Sequence, residues 1–541
     1  VHFNTDQHPQ CKFPARFKLL KENSTESFPT SKCPAYDEWL ATLDPQGASL
    51  VFAGNYPDNP GSIFGHTFLK VKTSSHSRLQ SKGKQHSEIL DYALNYAAAV
   101  DDTGSFMYAM KGIFGGYYGF FSMDPYYVKI NDYSEGEGRD IWEYELAFDQ
   151  KDAQFLLAHF WEVRYQAKFK YYFLDDNCSF LVLKLIDATK PEWKVVTSDP
   201  PYVIPIETVK ELKEFPGAIK STHYRPSVRK KAENSYKNLN PIQKHETIKL
   251  LHHELSPAKI TDANVLNTVV LSLFSKRSKN NGALSTEDKL LQDGTLIQLS
   301  TLDTSKLTSE VENQGDPSKS HKVKQVGLGF GYQQKAYGEL SFRPGLHDMT
   351  DFQRGYLDYS ELEVADIHAR IKEDQFTIHN IDLFNLGLYR PTSLQENSFS
   401  WRTRWAYQNQ SQIFCEFCKS VYGEAAVGYA YHLYPKLLTY IMFGGFLNAG
   451  AIDTHELKSG GMSEIGTISN FTEKTRLLFA ISSYLNLTNT TSGRTLYRVS
   501  VQGTYNIDKD IDVNLTSHSG LQLSGSEKFE SDVQASIDFH F

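Results

Sequence analysis

Two residues of this chain have the type and setting for nucleophilic chemistry. His66 sits in Gly65-His66-Thr67-Phe68, within an apolar stretch of strand character. Cys178 sits in Asn177-Cys178-Ser179-Phe180, where a new apolar segment begins as a helix. A thiol attacks well only as the thiolate, and its free pKa is about 8.5. A helix N-terminus offers partial positive charge and unpaired N–H groups, which favour that anion and a later oxyanion. Asp175-Asp176-Asn177 can cap such a helix, and the backbone N–H of Cys178 is a natural oxyanion donor. His66 would take the thiol proton and return it to the leaving group.

A third residue should orient the imidazole. On a strand over 88–98, Asp91, Ala93 and Asn95 share one face, and Tyr92, Leu94 and Tyr96 share the other. Asn95 is the first choice, by the logic of a Cys–His–Asn arrangement, and Asp91 the second. The plain alternative is that Asn95 bonds a neighbouring strand or turn. Tyr171 and Tyr172, just before the cysteine, are candidates to line the site or to fill the core. Tyr117, in the glycine-rich stretch 112–119, is a candidate lid, and Asn55 and Asn177 complete the expected lining.

The elements that must hold these groups follow from periodicity. Ala35 to Leu40 is helical and ends a Pro-rich leader. Ser49 to Gly54 and Phe64 to Val71 are apolar β-prone runs separated by a turn, and Ile141 to Leu146 alternates as a half-buried strand does. From Asp152 the period changes, with Phe155, Leu156, His159, Phe160 and Val163 at helical spacing. A second helix runs from Cys178 through Ile186. The stretch 196–322 reads as a helical connector, basic over 225–231.

The last 220 or so residues alternate with period two. The closing strand is the cleanest, with Val533, Ala535, Ile537, Phe539 and Phe541 alternating with Gln534, Ser536, Asp538 and His540. A membrane-crossing strand takes about 9–11 residues, so this stretch supplies roughly 10–12 strands. A soluble sandwich or barrel would alternate too. A phenylalanine closing the last strand resembles the terminal signal of outer-membrane barrel proteins and favours the membrane form.

Composition sets the outer limits. At 541 residues two or three domains are expected. Aromatics reach 13% and the net charge is −8, with no dense Lys/Arg stripe, which argues against nucleic acid as a partner. No run of about 18 apolar residues is present, so no transmembrane helix is expected. The first residue is Val1, the expectation for a removed secretory signal peptide. In an oxidising compartment Cys11 could bridge Cys33, and Cys415 could bridge Cys418, leaving Cys178 alone. Cys415-x-x-Cys418 also fits a redox or zinc half-site, though no second half accompanies it. No cofactor or metal is expected. His245-Glu246 and His253-Glu254 lack the second histidine of a zinc-protease helix, Lys249 and Pro257 standing in its place. Gly327 to Gly331 lacks dinucleotide-binding spacing, and His76 and His86 lie in a polar loop with no partner for His66.

Histidine before cysteine is the reverse of the papain order and resembles the circularly permuted papain-like fold of NlpC-type cell-wall enzymes and lecithin:retinol acyltransferases. Asn55-Tyr56-Pro57, Gly65-His66-Thr67-Phe68, Tyr92-Ala93-Leu94-Asn95-Tyr96, Gly115-Gly116-Tyr117 and Asn177-Cys178 together resemble the Lnb-type N-terminal periplasmic domain, a family named for a bacterial lipoprotein N-acyltransferase. The resemblance covers about residues 1–195. It implies a thiol enzyme outside the cytoplasm that handles acyl groups of phospholipid or lipoprotein substrates through a thioester. One departure stands out, since the founding enzyme is expected to continue in transmembrane helices and this chain continues in strands.

The expected architecture is a disulfide-tied cap (1–48), an α+β permuted papain-like domain of NlpC type (49–195), the connector (196–322) and an outer-membrane β-barrel (323–541). The expected activity is acyl transfer or acyl-ester hydrolysis. The alternatives are peptidoglycan amide hydrolysis and a non-enzymatic barrel with a partner-binding domain.

Overall fold

The structure is a computed structural model. It describes residues 7–56, 64–74, 90–100, 111–112, 115–173, 176–196, 203–279, 282–305, 307, 311, 313, 315–373, 375–392, 399–409, 419–449, 457–487, 495–523 and 528–541. The chain divides into two compact units, Val1–Ser318 and Lys319–Phe541.

The first unit opens on α1 (Pro9–Lys12), α2 (Pro14–Asn23) and α3 (Pro34–Leu43). A disulfide joins Cys11 to Cys33, and the Trp161 indole donates to the Cys11 carbonyl at 3.0 Å. Cys415 and Cys418 lie outside the described residues.

A seven-stranded antiparallel sheet follows, formed by β1 (Pro45–Ala53), β2 (His66–Thr73), β3 (Tyr92–Ala98), β4 (Tyr117–Pro125), β5 (Ile141–Leu146), β6 (Phe169–Tyr171) and β7 (Ile219–Arg225). Their order across the sheet is β6-β4-β3-β2-β1-β5-β7. One face is covered by the short α4 (Tyr126–Ile130) and the π-helical turn Asn131–Gly136, where Phe68, Tyr126 and Ile141 form a core with Tyr133. Helices α5 (Gln150–Gln166), α6 (Cys178–Thr189) and α7 (Pro205–Lys213) also pack on the sheet. Phe180, Leu181, Val182, Leu183, Leu185 and Ile186 of α6 are all buried; a helix apolar all round belongs inside a core.

The sheet does not stop at residue 195. Strand β7 comes from the stretch read as connector and pairs with β5 from Ile141↔Arg225 to Leu146↔Ile219. The rest of that stretch includes α8 (Val228–Lys237), α9 (Pro241–Leu251), α10 (Ala263–Lys279) and α11 (Thr286–Ser300), around Val265, Leu266, Val269 and Leu273.

The second unit is a closed antiparallel barrel. Its walls are β8 (Gln325–Gln333), β9 (Lys335–Arg343) and ten strands numbered after the short β10 (Gly345–His347). These are β11 (Ser360–Lys372), β12 (Gln375–Leu388), β13 (Ser400–Asn409), β14 (Lys419–Tyr434), β15 (Leu437–Ala449), β16 (Leu457–Asn470), β17 (Thr475–Asn486), β18 (Thr495–Asp508), β19 (Ile511–Leu523) and β20 (Lys528–His540). Neighbours pair in sequence, β20 pairs with β8, and β9 pairs with β11, so twelve strands close without a free edge.

Alternation decides which side chains face which way. On β20 Val533 and Phe539 are exposed, as is Phe541 just after it, whereas Asp532, Asp538 and His540 are buried. Leu328 and Phe330 on β8 and Ile441 and Phe443 on β15 also point outward. An apolar exterior around a polar interior, with no edge, is the form in which strands cross a membrane. At one end the turns 435–436, 471–474 and 509–510 are tight.

Between β9 and β11 the chain folds inward. Leu346, His347, Met349, Thr350 and Asp351 are buried. Gln502 and Thr504 of β18 reach Asp348 and Thr350 at 3.0 and 2.8 Å, and Arg476 of β17 donates to the Met349 carbonyl at 2.7 Å. This segment therefore fills the lumen where it crosses.

Candidate thiol active site

The site forms where two neighbouring strands part. Strand β2 stays paired with β1 as far as Ala53↔His66, and β3 with β4 as far as Ala98↔Gly119. Between them, however, the register ends at Leu69↔Leu94. Continuing it would set Thr67 against Tyr96, and instead the backbone N–H of Thr67 donates to the Cys178 sulfur. The N-terminus of α6 enters at this opening.

Cys178 is the first residue of α6, and Asn177 is its cap. The Asn177 side-chain oxygen accepts from the N–H groups of Ser179 and Phe180 at 3.0 and 3.2 Å, while its amide nitrogen donates to the carbonyls of Phe173 and Val203. Both ends of that amide are engaged, so Asn177 anchors the helix instead of lining a substrate site. Ser179 ties the helix to β2 through the Thr67 hydroxyl at 3.1 Å, and Thr67 meets Thr208 of α7 at 3.5 Å.

His66, the first residue of β2, hydrogen-bonds the Cys178 thiol. Its Nε2 contacts the Asn95 Oδ1 at 2.7 Å. The ring lies 5.7 Å from the Tyr133 ring and 6.0 Å from that of Phe68. Burial by itself would raise the Cys178 pKa. The His66 charge and hydrogen bond, the Thr67 N–H and the Ser179 hydroxyl overcome that and hold the thiol at about 6. Among the described residues Cys178 is the free cysteine.

The structure thus brings Cys178, His66 and Asn95 together. It places Asp91 elsewhere: that carboxylate accepts from the Thr73 N–H at 3.2 Å and lies 3.5 Å from Lys70 Nζ. Lys70 in turn bonds Glu143 at 3.0 Å, so Asp91 belongs to a buried charge cluster. Tyr117 is buried in β4, opposite Tyr171 in β6, and is not a lid. Tyr171 stacks on Tyr96 at 5.6 Å and so lies one ring removed. Tyr172 packs its ring over Gly115, whose positive φ of 71° no ordinary side chain favours. Asn55 is half-buried.

Sequence reasoning missed Tyr133, which closes the far side of the imidazole from the π-helical turn, and the Thr67 and Ser179 groups that tune the sulfur. Their positions depend on how strands and helix meet, which local patterns do not carry. In the barrel, Asp351, Asp512 and His540 bring potential ligand atoms within 4.8 Å of one another. These groups already bond, Asp351 to Arg343 and Asp512 to His540 Nε2 at 2.8 Å.

The class this structure defines is a closed, outwardly apolar β-barrel of outer-membrane type, preceded in the chain by an α/β domain with a cysteine–histidine–asparagine site. More particularly, residues 35–214 match the family described as the Lnb N-terminal periplasmic domain, and residues 314–536 match a domain of unknown function (DUF7840). No curated protein matches the chain. Solved structures similar to part of it include a KdgM porin (7% identity, 40% of this chain and 99% of that one, TM-score 0.25). A bacterial polysaccharide outer membrane secretin (9%, 41% and 99%, TM-score 0.27) and the Acinetobacter baumannii outer membrane protein Omp33 (12%, 41% and 100%, TM-score 0.22) are similar over a like span. At such scores these likenesses add nothing to what the strand register shows by itself.

Proposed function

We propose that this protein is a thiol acyltransferase or acyl-ester hydrolase. Its α/β domain is a permuted papain-like fold working in the periplasm, tied through its own chain to a barrel in the outer membrane. The observation that carries the reading is the buried Cys178 at the capped start of α6, set beside a His66 whose Nε2 meets the Asn95 Oδ1 at 2.7 Å; the imidazole pulls the thiol pKa down to about 6. A thiol so poised is largely thiolate at neutral pH.

In this reading the sulfur attacks the carbonyl carbon of a phospholipid or lipoprotein ester. The carbonyl electrons move to oxygen, then return as the C–O bond breaks. The leaving alkoxide takes the proton held on His66, and the acyl group remains on Cys178 as a thioester. An amine or a water then attacks the thioester, gives its proton to His66, and releases the thiolate. His66 and Cys178 supply every proton and electron pair on the enzyme side, so no cofactor is required.

The test uses the full chain in detergent and a Cys178→Ala variant, with acyl-labelled phospholipid plus a lipopeptide amine, and separately with peptidoglycan fragments. Label release or transfer by wild type, lost in the variant, is the expected result. Cleavage of the peptidoglycan fragments alone would replace ester chemistry with amide hydrolysis. Inertness toward both would leave a partner-binding domain.

A further inference from the structure

Arg139 is buried, with 1% of its side chain exposed, and the reaction set out above does not use it. A guanidinium taken out of water is costly unless its donors are matched, so such a group calls for a reason. Its partners lie beside the site. Nε donates to the Gly54 carbonyl at 2.5 Å and Nη2 to the Ala53 carbonyl at 2.9 Å, while Nη1 meets Glu137 at 2.8 Å. Ala53 is the residue of β1 that stands opposite His66 in the register. The guanidinium carbon lies 4.9 Å from the centre of the Tyr133 ring, and the Arg139 backbone N–H donates to the Tyr133 carbonyl at 2.8 Å. Tyr133 belongs to the π-helical turn Asn131–Gly136, a rare form that is frequent at functional sites. Its ring is 5.7 Å from both His66 and Phe68, and those two rings are 6.0 Å apart, so the three form one packed group.

Resting on the reading of Cys178 and His66 as a reacting pair, we propose that Arg139 is a positioning residue for the thiol site. Anchored on the Ala53 and Gly54 carbonyls, it holds the Tyr133 ring against His66, and that ring keeps the imidazole on the sulfur. The imidazole needs such a hold. His66 begins β2, and the pairing of β2 with β3 ends at Leu69↔Leu94, so at His66 the strand is paired on its β1 side. Hydrogen bonds to Asn95 and Cys178 act on the ring nitrogens, and the Tyr133 ring blocks rotation away from them. A cation suits the position behind that ring, because the negative face of an aromatic attracts a guanidinium. Alignment of base and nucleophile is worth orders of magnitude in rate, so a buried cation spent on it has a use.

The experiment follows iodoacetamide alkylation of Cys178 against pH in the full chain, with Cys178→Ala as the blank and a urea midpoint to show that each variant is folded. Wild type should show a pH midpoint near 6. Tyr133→Phe keeps the ring and should match it. Tyr133→Leu and Arg139→Met should each raise the midpoint by about one unit, which cuts the thiolate fraction at pH 6 roughly fivefold. The double variant Tyr133→Leu/Arg139→Met should rise no further than Tyr133→Leu alone, since Arg139 acts through the ring. A wild-type midpoint in folded Tyr133→Leu would overturn the assignment and make the ring core packing. Additive shifts in the double variant would overturn it as well, because Arg139 would then act through its charge. Where Arg139→Met does not fold, Arg139→Lys takes its place; it keeps the charge and loses the planar fork, and a wild-type midpoint in it would remove Arg139 from the role. Alkylation involves no ester, so inertness toward esters would strike the reading above while these midpoints still decide this one.

Discussion

The two halves of the chain bury charge in different settings. Inside the barrel it is paired across strands: Arg343 lies between Asp351 and Glu363, Arg402 between Glu424 and Glu464, and Arg370 between Glu339 and Asp532. Single atoms such as Arg343 Nε and Arg402 Nε still find no hydrogen-bond partner among the described residues. Alternation forces every second strand residue into the lumen, and cross-strand pairing is how such residues are accommodated there. At the thiol site the buried Cys178 sits beside the His66 imidazole, whose charge and hydrogen bond lower the thiol's pKa. The first pattern stabilises a wall; in the proposed reaction the second keeps a sulfur poised to attack.

The comparison breaks first if the barrel charges prove dispensable. Arg343→Met leaves Asp351 and Glu363 buried without their cation and should destabilise the barrel by about 3–5 kcal/mol. Loss of heat-modifiable mobility on gels and a lower urea midpoint would show it. An unchanged midpoint would mean that the lumen is wet enough to solvate both carboxylates.

His66→Gln probes the other half. Wild-type alkylation by iodoacetamide should rise with pH around a midpoint near 6, since the sulfur is protonated below that value and ionised above it. The variant keeps the burial and loses the cation, so its midpoint should move above about 8.5, a shift worth roughly 3 kcal/mol. Asn95→Ala should move the midpoint in the same direction but less, because the imidazole remains. Opening the Cys11–Cys33 bridge by a double alanine variant should cost about 3 kcal/mol for a loop of 22 residues, read as a fall in the thermal midpoint of the α/β domain.

How much of this was legible depended on whether the signal was local. Cys178 at a capped helix start, His66 on a strand, and Asn95 and Asp91 on one face of another were readable, because helix caps and two-residue alternation are local patterns. A closed barrel of roughly 10–12 strands was readable for the same reason. Strand β7 was not, since Ile219–Arg225 is a half-exposed edge strand with few apolar residues to betray it. The inward segment after Arg343 was also missed, because His347, Asp348 and Asp351 look like any polar loop until barrel closure surrounds them. Asp91 and Asn95 share a face on paper. Only the parting of β2 from β3 decides that one meets His66 and the other meets Lys70.

A pair of variants isolates burial from geometry within the α/β domain itself. Lys70 reaches Glu143 across β1 at 3.0 Å, and one rung along the same strands Lys72 reaches Glu145 at 2.9 Å. The diagonal is the same, yet Lys70 is 3% exposed and Lys72 21%. Lys70→Met strands a buried carboxylate whose remaining partners are the Tyr126 hydroxyl at 2.6 Å and Arg225 at 3.8 Å, so a loss of several kcal/mol is expected. Lys72→Met removes a pair that water already screens and should cost less than about 1 kcal/mol. Chemical unfolding of the two variants side by side measures the ratio. Similar losses would mean that strand pairing, and not removal from water, sets the worth of buried charge in this sheet, and the contrast drawn between wall and site would then have to rest on hydrogen bonds alone.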